Sequence, residues 1–174
     1  AIIGAQWSEG RWQGKSALDF KSINARIRLN IPGEYTNMTM ACWVRIDSFD
    51  RWLSSLLLTD GFKKGSLHWQ LSDSGEMILG SKFSDQRNSS FDQVAYNVFS
   101  PQVIQLDDMG QWIHIAVVYD HANAKITHYL NGRPIHSEAI AQTQTIVLGN
   151  SEIGNWNNQR KISKDIRSLN GRMD

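Results

Sequence analysis

Apolar and polar residues alternate with a period of two along much of this chain, and no segment sustains the 3.6-residue period of a helix. In Asn37–Ile46, Met38, Met40, Cys42, Val44 and Ile46 share one face while Thr39, Ala41, Trp43 and Arg45 share the other. Ile27, Leu29 and Ile31 alternate in the same way with Arg26, Arg28 and Asn30. Ser16–Phe20 reads as a short strand and Leu53–Thr59 as an inner one. Ser66–Leu71 and Met77–Gly80 form a hairpin around Asp73-Ser74-Gly75, where Gly75 supplies a positive φ. Gly110–Ile135 is a three-stranded meander whose Asn131-Gly132 suits a type I′ turn. Asp92–Phe99 is a further strand broken by Pro101, and Thr145–Leu148 a short one before Gly149-Asn150. About a dozen short, turn-bounded strands predict an all-β sandwich of two antiparallel sheets.

The chain has 174 residues, a length that a single β-sandwich fills without a linker. Its 41% hydrophobic and 20% charged residues place it among ordinary globular domains, which need no metal or disulfide to fold. The formal net charge of +1 gives no field that would draw nucleic acid or an anionic membrane, and no run is long enough to insert into a bilayer. Cys42 is the only cysteine and lies within a strand pattern, so a buried, inert thiol is expected. Seven tryptophans are many for this length, and large rings serve both sheet cores and sugar-stacking surfaces. Trp43 and Trp112 sit inside strand patterns and are read as core; Trp69 fits either role.

Several segments resemble, in order, the laminin G-like domains of the concanavalin A-like lectin/glucanase superfamily. Gly14–Phe20 resembles their GxALxF start, Met38–Phe49 (MTMACWVRIDSF) their FTxSxWVKxxS strand, and Gly110–Ile135 their GxWHHVAxxYD…YxNG strand pair. Val147–Trp156 and Leu169–Asp174 (LNGRMD) resemble their last two motifs. The resemblance implies a concanavalin A-like jelly roll that binds carbohydrate or another protein domain, sometimes with calcium. It implies a module of a larger extracytoplasmic bacterial protein, such as a membrane-anchored FecR-type anti-sigma sensor, or an accessory domain of a polysaccharide-degrading enzyme. Lys21 and Ala25 stand where the family pattern commonly has acids, which argues against calcium. Asp174 falls where the resemblance starts a final strand, so residues 1–174 are expected to be a single domain from a larger protein.

No catalytic set emerges from the residues. Glu9, Glu34, Glu76, Glu138 and Glu152 lack an acidic partner at i+2 or i+4, the spacing by which a strand aims paired carboxylates into one glycosidase cleft. The five histidines show no metal-ligand spacing, although His114 and His128 could meet on neighbouring strands. A non-enzymatic binding role is therefore expected. Asn155-Trp156-Asn157 offers a stacking ring flanked by amides, and Trp52 is a second loop indole. Asn155, Trp156, Asn157 and Trp52 are the candidate carbohydrate-binding residues; the alternative is that the indoles pack loops onto the sheet and the Asn residues make turns.

Overall fold

A computed structural model of the chain describes residues 1–84, 95–156 and 167–174. Two antiparallel seven-stranded sheets are stacked as a jelly-roll sandwich. The first sheet runs, in spatial order, β1 (Ile2–Ile3), β4 (Arg26–Ile31), β13 (Gly149–Ile153), β6 (Leu53–Thr59), β7 (Leu67–Ser72), β8 (Glu76–Lys82) and β9 (Ala95–Gln102). The second runs β12 (Arg133–Ala139), β11 (Lys125–Leu130), β10 (Trp112–Asp120), β5 (Asn37–Ile46), β14 (Gly171–Met173), β3 (Ser16–Asp19) and β2 (Gln6–Glu9). A single 3-10 turn, Leu106–Asp108, is the only helical element among the described residues. None of these elements is a helix long and apolar enough to cross a membrane.

The period-2 pattern sets which face each strand turns inward. Val44 and Ile46 of β5, Leu67, Trp69 and Leu71 of β7, and Ile113, Ile115 and Val117 of β10 are buried in one continuous core. Trp69 thus belongs to the core. Trp43 does not: it lies half-buried on the opposite face, its ring edge-on to His114 at 5.4 Å, and Trp112, in register with Arg45, is likewise only half-buried. His114 and His128 do not meet. His114 shares the outer face with Trp43, whereas buried His128, paired in register with Val117, neighbours His136 at 6.3 Å.

Two strand boundaries differ from the sequence reading. Pro101 lies within β9 rather than ending its strand. It is tolerated because, among the described residues, β9 is the edge strand and pairs only with β8, so a missing N–H costs no ladder bond on the other side. Residues 145–148 are a crossing between the sheets, with Ile146 bridging to Tyr35 and the Val147 amide donating to Gly65. The strand itself is the polar stretch Gly149–Ile153. It is easily missed because one of its two buried residues is a carboxylate on the outer face: Glu152, 2% exposed and in register with Arg28, lies 3.1 Å from Arg26 Nε and 3.0 Å from Arg28 Nη1. Arg28 also grips Asp60 with two bonds of 2.7 and 2.8 Å. The hydrogen bonds to Asp60 and then Glu152 hold the guanidinium charged more firmly than usual. Replacing Glu152 with Gln leaves the two arginines facing an uncharged amide, and urea titration is expected to show a loss of about 2 kcal/mol.

Candidate functional site

The six residues of β7 are all buried, although only Leu67, Trp69 and Leu71 face the core. The other three, His68, Gln70 and Ser72, form the polar floor of a groove of about 480 Å³ on the outer face of the first sheet. β8 adds Glu76 and Ile78 to this groove, and β9 adds Asn97 and Phe99. Its walls are aromatic: Trp52 just before β6, Phe62 in the loop after it, and Trp156 in the segment following β13.

Each group is held by identifiable contacts. The Trp156 indole N–H donates to the Thr59 carbonyl at 3.1 Å, and its ring stands edge-on to His68 at 5.0 Å. His68 Nε2 lies 3.3 and 3.2 Å from the carbonyls of Thr59 and Gly61, so this nitrogen carries the proton. Burial, helped by the nearby positive charge of Arg167, pushes His68 down to about 4 and keeps its imidazole neutral near pH 7. The Arg167 guanidinium lies over the Trp156 ring at 4.6 Å and near that of Trp52 at 5.9 Å, and its Nη1 donates to Gln70 at 2.9 Å. At the other end, the Ser72 and Ser74 hydroxyls lie 3.0 and 2.9 Å from one oxygen of Glu76. The groove therefore combines flat rings with hydrogen-bonding groups of fixed position, the combination that orients a polyhydroxylated ligand.

Of the sequence candidates, Trp52 and Trp156 line this one groove although they are far apart in the chain. Asn155 does not line it. It is buried, its amide donating to the Ile23 carbonyl at 2.7 Å and its oxygen accepting the Trp156 amide at 2.7 Å, so it fixes the direction in which Trp156 leaves the sheet. Asn157 lies outside the described residues. Among the described residues, no three His, Cys, Asp or Glu side chains gather to hold a metal ion. A second pocket of about 670 Å³ lies between Glu34, His121 and residues 142–145. Its Phe83 ring is already packed on Tyr96 at 4.6 Å, leaving that pocket without an indole platform.

A sequence model of laminin G type, described as concanavalin A-like lectin/glucanases superfamily, matches residues 22–174. The chain belongs to this superfamily. No curated protein matches it. Among solved structures, this concanavalin A-like domain is similar to the binding domain of Paraclostridial Mosquitocidal Protein 1, with a TM-score of 0.69 at 16% identity over 99% of this chain and 41% of that one. Domains LG4-5 of the mouse laminin alpha1 chain give 0.64 at 14% identity, over 94% of this chain and 41% of theirs. The CBM40 of Ruminococcus gnavus IT-sialidase, bound to alpha2,3 sialyllactose, gives 0.56 at 14% identity, over 85% and 86%. The chain thus spans well under two thirds of the first two. At these identities the likeness establishes the shared fold.

In this concanavalin A-like domain the polar floor escaped the sequence reading, although a signal for it exists. Leu67–Ser72 reads LHWQLS, a strand that alternates large apolar residues with His, Gln and Ser. A hairpin with polar groups on one face and core residues on the other marks a floor once aromatic loops flank it. Arg167 carries no such signal, because its place beside Gln70 depends on a contact 97 residues long.

Proposed function

We propose that the domain is a non-catalytic carbohydrate-binding module that takes a sugar chain in the groove over β7–β9. The observation that carries this reading is the meeting of the two loop indoles, Trp52 and Trp156, above the Gln70, Ser72 and Glu76 floor. Sugar faces stack on the rings while hydroxyls bond to the floor. The carboxylates of the groove, Asp73 and Glu76, belong to a single hairpin, and Glu76 is held by two serine hydroxyls. That arrangement suits ligand orientation better than the facing acid pair of a glycosidase. The relatives support the reading at the level of fold, and one of them is a module bound to sialyllactose. We further propose that the domain works in a larger extracytoplasmic bacterial protein, with a FecR-type sensor or a polysaccharide-degrading enzyme as its setting.

Calorimetric titration with a panel of neutral and acidic oligosaccharides tests the groove. Trp52→Ala is the cleaner variant because Trp52 is 60% exposed and its loss leaves the core intact. Affinity for the sugar that binds is expected to fall about 10- to 100-fold in Trp52→Ala and in Trp156→Ala, the usual cost of a stacking hot spot. A sugar bound equally well by both variants would place the site elsewhere.

A protein-docking role is the second reading, favoured by the exposed rings of Trp7 and Trp12, with Arg11 lying 4.6 and 4.4 Å from the rings of Trp12 and Trp43. A partner captured by the wild type and lost in Trp12→Ser, together with no sugar binding, would favour it.

A further inference from the structure

The groove over β7–β9 is not electrically uniform. Its Trp156 end carries the Arg167 guanidinium, which lies over that indole at 4.6 Å and donates to Gln70 at 2.9 Å. Its other end carries Asp73, in the hairpin turn, and Glu76, the first residue of β8. Trp52 belongs to this acidic end, because its carbonyl accepts the Asp73 amide at 3.1 Å. Elsewhere on the same sheet the acids are matched: Arg26 and Arg28 meet Glu152, and Arg28 meets Asp60. Asp73 and Glu76 are not. Among the described residues no cationic side chain pairs with either carboxylate. Both serine hydroxyls fall on one oxygen of Glu76, Oε2, and Oε1 has no partner among the described residues. A second group is left incomplete beside them. Gln70 is only 5% exposed and lines the groove. Its oxygen accepts from Arg167, which leaves its NH2 group without an acceptor among the described residues. A nearly buried donor in that state is costly, and a ligand oxygen in the groove relieves it.

We propose that the groove selects an amino sugar, whose ammonium group sits against Asp73 and Glu76 while its ring stacks on Trp52 and a hydroxyl oxygen accepts from Gln70. The inference rests on the reading of the groove as a carbohydrate site and adds the charge of the sugar. An ammonium group has donors and no acceptor, so it suits a corner built of carboxylate oxygens, and an indole face attracts it as well. Its bonds to a carboxylate are about twice as strong as those of a neutral hydroxyl. A neutral sugar leaves both negative charges without a counter-charge, and an acidic sugar adds another at the same end. A lysine-bearing peptide carries the right charge but finds no strand edge here. The floor is a sheet face whose backbone bonds already run between β7, β8 and β9, so an extended peptide gains no main-chain pairing. A metal ion is served no better, since among the described residues no third His, Cys, Asp or Glu joins the two carboxylates.

Calorimetric titration at pH 6 and low salt, with EDTA present, separates the two claims. The probes are tetramers of glucose, N-acetylglucosamine and glucosamine with the same linkage, and a tetralysine peptide. The glucosamine tetramer is expected to bind about tenfold or more tightly than the glucose tetramer. That ratio should fall toward one in Glu76→Gln and in Asp73→Asn, and should shrink in the wild type as salt is raised. Glu76→Gln keeps an oxygen for the two serines, and Asp73 lies exposed in the turn, so the two variants do not share a route to misfolding. A neutral or acidic oligosaccharide bound in preference to the glucosamine tetramer overturns the amine selection and leaves the carbohydrate groove standing. So does a preference for glucosamine that survives both variants. Tetralysine bound as tightly as the glucosamine tetramer means that charge alone is read, which overturns the sugar. No binding of any sugar removes the inference together with the reading beneath it.

Discussion

Replacing Gly154 with alanine is expected to destabilise the fold by about 3 kcal/mol or more and to displace one wall of the groove. Gly154 follows β13 and has a φ of +79°, a conformation that disfavours any residue with a Cβ. The space is also taken: a Cβ built there collides with the ring of Phe20, which is fully buried. Neither side can easily give way. Gly154 donates to the Leu56 carbonyl at 3.3 Å and accepts from the Leu169 amide at 2.8 Å, so its backbone is fixed to β6 and to the segment leading into β14. Asn155 and Trp156 follow directly, so a shift at Gly154 moves the indole that lines the groove. Gly132→Ala serves as the control. Gly132 has the same φ of +79° but lies in a hairpin turn with nothing within 4 Å of the added methyl. It is expected to cost only the backbone strain, about 1 kcal/mol. Urea unfolding of the two variants separates strain from collision, and equal losses would mean that Phe20 accommodates the methyl. The indole circular dichroism of Gly154→Ala should change, whereas that of Gly132→Ala should not.

The sandwich was legible because its strands obey a local rule. Asn37–Ile46 and Leu53–Thr59 have the boundaries that their patterns predict, and the Asn131-Gly132 turn has positive φ at both residues. The groove was legible only in its rims. Trp52 and Trp156 stand out as indoles in loop sequence, and each draws notice on its own. Their meeting does not, since it depends on where β13 places its far end relative to the start of β6. The floor was hidden for a different reason. His68, Gln70 and Ser72 are polar residues buried on the sheet's outer face, and composition alone marks such residues as solvated. The outward position of Trp43 was misread for the converse reason: a large ring in a strand suggests core, but alternation with Cys42 and Val44 leaves Trp43 on the opposite face. Local alternation therefore yields the layers, while long-range register decides which surface gains a floor and a wall.

Acid is expected to weaken this domain well above the range in which ordinary carboxylates titrate. His68 and His128 are both buried, and burial pushes each down to about 4 from the usual value near 6.5. Arg167 adds to the effect at His68, and His136 adds to it at His128, where the carbonyl of Val98, 3.2 Å from Nε2, partly opposes it. The unfolded chain takes up a proton on each imidazole near pH 6.5, whereas the folded chain resists until about pH 4. Between those limits the unfolded state binds more protons, so stability falls as pH falls. Each histidine accounts for about 3 kcal/mol over this window, and the two together for up to about 6. Stability is fully present above pH 6.5 and lost as pH drops toward 4. Urea titrations at pH 7, 5.5 and 4.5 measure the slope. His128→Gln keeps a donor for the Val98 carbonyl but removes the titrating group, and should remove about half of the slope; His68→Gln should remove the other half. A stability at pH 4.5 within about 1 kcal/mol of that at pH 7 would show that both imidazoles reach solvent in the folded state. His68 also belongs to the groove floor, so the same titration has a functional counterpart. Protonating His68 would place a second positive charge beside Arg167, and ligand affinity should therefore decline with stability in the wild type but hold in His68→Gln, provided that the variant binds at pH 7.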